Sequence, residues 1–265
     1  MSEAEIELPG GNVNAGVVRV GNTVRRQLTP ASATVHELLQ HLARKGFVGS
    51  PRFLGIDEQG REILSFIEGE VGIRPFVWQS DAALTAVAHM LRAYHDATVD
   101  FKPSGLPQWA FTYPEPQRHE VICHNDFALY NFIYRDEIPY AVIDFDLVGP
   151  GPRWRDIAYA AYWTVPLSFY TEDMKAFAEA DVAKGSRRCH LFCQTYGMPV
   201  EPALLDMVAE ILTFMGNEAD MRQVVGEAAA TKLKQEGHLA HWRREASAFQ
   251  SARPRLEVSL WGKGD

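Results

Sequence analysis

Two short stretches carry the side chains best able to do chemistry. Residues 124–132 read HNDFALYNF, with Asp126 two positions after the His and Asn131 five positions after the Asp, and residues 141–146 read AVIDFD, with Asp144 closing an apolar run. A carboxylate beside an amide oxygen makes a hard-oxygen site suited to Mg²⁺, which keeps several waters and accepts phosphate oxygens as further ligands. A separate acid nearby can orient a hydroxyl. Phosphoryl transfer needs such an arrangement, because the protein's share of the work is mainly positioning and charge neutralisation.

The local pattern suggests how these groups meet. FIYR (132–135) and YAVI (140–143) are β-rich runs separated by DEIP, so a simple hairpin pairs Arg135 with Tyr140 and, by counting back, Asn131 with Asp144. Asp126 lies just upstream and can fold over the same spot. The His-x-Asp, the Asn five residues on and the Asp 13 residues after that share the spacing of the protein-kinase signature, with Asn125 in place of its Arg and Asp146 in place of its final Gly.

The elements around the motifs fall into two groups. In the first 70 residues, AGVVRVGNTVRRQL contains two β-rich runs divided by Gly21-Asn22, and SATVHELLQHLARKGF places Val35, Leu38, Leu39 and Leu42 at helical spacing. RFLGIDEQGREILSFIEGE then supplies two more strands around a turn at 57–60, for an order β-β-α-β-β. From about Gly69 the pattern becomes helical: Ser80 or Asp81 caps a helix carrying Leu84, Val87, Leu91 and Tyr94, and further helices are expected at 155–164, 171–196 with a break near Gly185, 201–222 and 224–248. The expected fold class is α+β, with a small β-rich N-lobe at 1–68 and a larger, mostly helical C-lobe at 69–265.

A phosphoryl-transfer site also needs a basic residue on a strand and an acid to hold it. Arg25 or Arg26 on the second strand, with Arg25 taken first, and Glu37 on the following helix meet that need. Arg can engage phosphate oxygens in a bidentate manner where kinases use Lys. PGGNVNAG at 9–16, including Gly11, sits where a phosphate-covering loop belongs, although it does not spell G-x-G-x-x-G. The backbone of Ser65, Phe66 and Ile67, in the connection between lobes, can face an adenine edge.

Composition narrows the class. Hydrophobic residues form 46% and charged residues 23% of the 265, which are ordinary globular values. No apolar run approaches the ~20 residues of a membrane span, and MSEAEIELPGG has no signal-peptide pattern, so a soluble cytoplasmic protein is expected. Three cysteines, scattered apart from Cys189 and Cys193, argue against a disulfide framework, and Cys189, His190 and Cys193 match no zinc spacing. A net charge of −8 argues against nucleic-acid binding.

With CHNDFALYNF, AVIDFDLVGPGPRWRDIAYAAY and the strand-Arg-Arg-helix-Glu order in view, the chain resembles the aminoglycoside phosphotransferase family of small-molecule kinases, over roughly residues 10–165. It is similar to a bacterial subgroup labelled for immunity to trifolitoxin. The resemblance implies a protein-kinase-like two-lobed fold with ATP (or GTP) between the lobes, Asp126 as catalytic base, Asn131 and Asp144 as Mg²⁺ ligands, Arg25 with Glu37 as the phosphate-positioning pair, and Asp156 in RDIAY as a structural brace. Asn125 stands where the family commonly has Gly. About ten residues separate Asp144 from the next helix and no Ala-Pro-Glu follows, so a small hydroxylated molecule, aminoglycoside-like or another metabolite, fits better than a protein substrate. Glu115, Glu218, Asp220 and Trp163 are possible pocket contributors, none assigned. The alternative is a catalytically inactive kinase-like module that gives immunity by holding a peptide or nucleotide.

Overall fold

The computed structural model describes residues 4–8 and 16–262. A five-stranded antiparallel sheet in the order β1-β2-β3-β5-β4 forms the N-lobe, from β1 (Glu5–Glu7), β2 (Val18–Val20), β3 (Thr23–Arg26), β4 (Phe53–Ile56) and β5 (Glu62–Ser65). Val20 pairs with Thr23 across the turn at Gly21, whose φ of 56° needs the freedom of glycine. Helix α1 (Ser32–Arg44) lies between β3 and β4 in sequence and buries Val35, Leu38, Leu39 and Leu42, the stripe its spacing predicts.

Past the connection at 66–69, β6 (Glu70–Val71) joins the C-lobe sheet. Gly69 makes this approach possible: a Cβ there would stand 2.5 Å from Ile133 Cγ2 and 2.6 Å from the Tyr134 carbonyl oxygen. Helix α2 (Asp81–Thr98) starts where Ser80 Oγ accepts the Ala83 amide at 3.1 Å, and its buried face includes Leu84, Val87, Leu91 and Tyr94. Strands β7 (Val121–Cys123), β8 (Phe132–Arg135), β9 (Ile138–Val142) and β10 (Gly149–Gly151) form two small sheets, β6-β8-β9 and β10-β7, that carry the two motifs.

The β8–β9 register differs from the expected one. Asp136 and Glu137 both take positive φ, giving a two-residue turn that pairs Arg135 with Ile138, not Tyr140. A bulge between Ile133 and Tyr134 restores one residue of the difference. Asn131 therefore sits opposite Ile143, whose amide donates to the Asn131 carbonyl at 2.9 Å, and Asp144 is the next residue.

The remaining chain is helical: α3 (Arg153–Thr164), α4 (Glu172–Ala183), α5 (Arg187–Tyr196), α6 (Pro202–Gly216), α7 (Glu218–Val225), α8 (Glu227–Gln235) and α9 (His238–Trp261). The break near Gly185 is present. The expected helix at 224–248 divides at Gly237, which has a φ of 82°, and α9 then runs past 248 because Phe249, Ala252, Leu256 and Leu260 extend its buried face. Among the described residues no helix is long and apolar enough to cross a membrane.

Candidate active site

The loop after β7 is held from behind. Asp156, in the first turn of α3 and fully buried, accepts the backbone amides of His124 at 2.6 Å and Asn125 at 2.8 Å, and pairs with His95 Nε2 at 3.0 Å. Burial alone would raise its pKa, but the hydrogen bonds from His95 and the loop amide hold it below the usual carboxylate range. Asn125 has a φ of 64°, a left-handed conformation that Asn tolerates better than most residues, which accounts for an Asn where the resembling family commonly has Gly. Its side chain donates to the Leu147 carbonyl and accepts from Arg155 Nε, both at 2.8 Å. His124 is fully buried among Tyr94, Phe127 and Phe145, and that burial pushes its pKa down to about 4.

Asp126 projects from this loop into a small hydrogen-bonded group. Its Oδ1 accepts from the Tyr130 hydroxyl at 2.5 Å and its Oδ2 from Asn131 Nδ2 at 2.7 Å. Burial pushes the Asp126 carboxyl up to about 6 against the opposing pull of these two donors. Asn131 Nδ2 also donates to the Asp126 carbonyl at 3.0 Å. Both partners are acceptors, so the amide nitrogen must face them, which turns Asn131 Oδ1 away from Asp126 and leaves it available to a cation.

Asp144 adopts a φ of 66°, and its side chain is 45% exposed at the mouth of this group. Partial burial, then Asp146 and Asp126, push its carboxyl up to about 7, while Arg26 pulls it down. Crowded carboxylates beside a free amide oxygen form a donor set that fits Mg²⁺. Asn131 and Asp144 would hold it.

From the N-lobe, Arg26 reaches the acids and Arg25 does not. Arg26 Nη2 lies 2.7 Å from Asp146 and Nη1 lies 3.9 Å from Asp144, while its Nε bonds Glu62. Glu62, 1% exposed on β5, also meets His36 Nε2 of α1 at 2.5 Å, and the His36 ring stacks on Phe53 at 3.7 Å. Arg25 points to the other face of β3, where it donates to Thr23 Oγ1 at 2.5 Å and lies 3.8 Å from Asp57. Glu37 accepts the amide and hydroxyl of Ser104, each at 2.7 Å, on the outside of the lobe. The expected Arg25–Glu37 pair is thus not assembled, and Arg26–Glu62 stands in the corresponding place. The signal was in the strand alternation: Val24 packs against the core, so Arg26, two positions on, shares its face.

The other expected positions divide similarly. Ser65 is tied to Arg52, its amide donating to the Arg52 carbonyl at 2.9 Å and its Oγ accepting the Arg52 amide at 2.8 Å. The Phe66 amide donates to Asn22, and the Phe66 ring lies 3.7 Å beneath the Arg19 guanidinium. Gly11 lies outside the described residues. Glu115 is ion-paired with Arg118, and Glu218 with Lys234 and Arg222. Trp163, by contrast, packs its ring 5.3 Å from that of Tyr130, beside Asp126. Cys189 and Cys193 are free, buried thiols.

Known proteins share this architecture. The family model described as "Phosphotransferase enzyme family" matches residues 105–190, the span holding Asp126, Asn131, Asp144 and Asp156. A trifolitoxin immunity protein from Rhizobium leguminosarum bv. trifolii is 33% identical over 97% of this chain and 98% of its own length. Among solved structures, the gentamicin–APH(2")-IIa complex covers 94% of each chain at 16% identity with a TM-score of 0.57, and choline kinase LicA from Streptococcus pneumoniae covers 94% of each at 12% identity with a TM-score of 0.55. The chain belongs to the aminoglycoside phosphotransferase family, with a trifolitoxin immunity protein as a full-length relative.

Proposed function

We propose that this chain transfers the γ-phosphate of ATP, or of GTP, to a hydroxyl of a small molecule. The observation that carries this reading is the convergence of Asp126, Asn131 and Asp144 from two separate motifs, with Arg26 reaching the same acids from the other lobe. With a carboxyl pKa of about 6, Asp126 is ionised at neutral pH and can take the proton of an acceptor hydroxyl. The acceptor oxygen then bonds the γ-phosphorus as the bond to the bridging oxygen breaks, and the nucleoside diphosphate leaves. Arg26, held by Glu62, supplies positive charge to the phosphates once they displace it from Asp146. Mg²⁺, when bound, would neutralise phosphate charge beside Asn131 and Asp144. Residues 1–68 and 69–265 act as the two lobes, and of the connection Ser65–Ile67 it is Ile67 that meets the purine edge, since the Ser65 and Phe66 amides are engaged by Arg52 and Asn22.

A second reading is a binding module that gives immunity without turnover, supported by the name of the 33%-identical relative. Asp126→Asn separates the two. The first reading expects phosphate transfer, followed as nucleoside diphosphate release with a panel of hydroxylated acceptors, to fall by about 10²–10⁴-fold while nucleotide binding persists. Equal release by variant and wild type contradicts it, whereas no release by the wild type with any acceptor, nucleotide still binding, favours the binding module.

A further inference from the structure

Asp126 is joined through Tyr130 to a row of aromatic rings that phosphoryl transfer itself does not use. Successive ring centroids lie 5.3 Å apart for Tyr130–Trp163, 6.5 Å for Trp163–Trp242, 5.3 Å for Trp242–His241 and 5.7 Å for His241–Tyr170. Tyr130, Trp163, Trp242 and His241 are each partly open to solvent and Tyr170 is 39% exposed, so the rings form a surface strip, backed by the buried Tyr159 and Tyr162. The strip draws on the motif loop, α3 and α9, and it begins at the reacting carboxylate. Large half-exposed rings in one row are characteristic of ligand sites.

Its polar groups define the occupant further. Trp163 Nε1 is buried and turned to the Tyr159 hydroxyl, so the indole offers a ligand its apolar ring surface. Glu245, the α9 carboxylate 3.7 Å from His241, is fully buried and accepts hydrogen bonds from Ser168 and Thr171. At the outer end Arg244 donates to the Tyr170 hydroxyl at 3.1 Å. A polycation laid along the strip would meet a guanidinium and a carboxylate already committed elsewhere.

We propose that this strip is the acceptor subsite and that the acceptor is a neutral or anionic molecule with a flat aromatic body, its hydroxyl at Asp126 and its ring against Trp163 and Trp242. The proposal rests on the phosphotransferase reading. It is tested by isothermal titration calorimetry of the full chain with 4-(2-hydroxyethyl)phenol and 4-hydroxyphenylacetate as flat probes and kanamycin as the polycation, with ATP and Mg²⁺ titrated separately. Saturable binding of at least one flat probe is expected. It should weaken at least tenfold in Trp242→Leu and in Trp163→Leu, each of which removes one ring of the strip, with both variants melting as cooperatively as the wild type. No binding of either flat probe, binding of kanamycin alone, or flat-probe affinity unchanged in both variants overturns the proposal. A nucleotide that fails to bind while a flat probe does would count against the kinase reading alone.

Discussion

At the scale of single residues, the site is a set of acids held at different pKa values by their surroundings. Asp156 is kept ionised by buried donors, Asp126 is raised to about 6 by burial, and Asp144 is raised to about 7 by partial burial and by its acidic neighbours. The last has a thermodynamic consequence in metal-free protein. A carboxyl whose folded pKa exceeds its unfolded value of ~3.9 binds more protons in the folded state between those two values, so its contribution to stability falls as pH rises from about 4 to about 7. Asp144→Asn removes that loss. The metal-free variant should therefore melt higher than wild type at pH 8 and show little difference near pH 4, as followed by thermal denaturation in a chelating buffer; a variant less stable at pH 8 would contradict the assignment.

At the scale of elements, two pieces of secondary structure position the chemistry. The first is β3, whose alternation sends Arg26 inward and Arg25 outward. Arg26→Ala should weaken nucleotide binding at least tenfold, and Arg25→Ala should leave it within about twofold, by calorimetric titration; the reverse order would return the role to Arg25. The second is α3, whose first turn presents Asp156 to the motif loop. Asp156→Ala leaves two backbone amides and His95 without their acceptor, and should lower stability by about 3–5 kcal/mol in urea unfolding. The motif spacing in the sequence already pointed to Asp126, Asn131 and Asp144 as neighbours, because a hairpin joins them whichever of two adjacent registers it takes. The register itself was hidden, since DEIP does not reveal that Asp136 and Glu137 both take positive φ. Glu62 was hidden for another reason. It lies 36 residues from Arg26 and reads locally as one end of a strand, so only the β3–β5 pairing brings the two together.

At the scale of the whole molecule, the lobes are joined by a short connection and by charge. Gly69 lets the chain pass close to β8, Tyr140 bonds the Glu68 carbonyl across the connection, and Arg26 ties the N-lobe sheet to Asp146 of the C-lobe. The two-lobed class was legible from the change at about Gly69 from strand alternation to helical spacing. The aromatic strip was not, because Tyr130, Trp163 and Trp242 are far apart in sequence and meet only through the packing of α3 and α9. The central claim is that Asp144 and Asn131, with Arg26 opposite, form a metal-dependent nucleotide site between the lobes. Its most direct test is the melting temperature with millimolar ATP, with and without Mg²⁺, in wild type and Asp144→Ala. A ligand at 100 times its Kd that binds only the folded state stabilises it by about 2.7 kcal/mol. The account predicts a Mg²⁺-dependent rise in wild type that is lost in the variant; no rise with ATP or GTP, or an equal rise in the variant or without Mg²⁺, would contradict it.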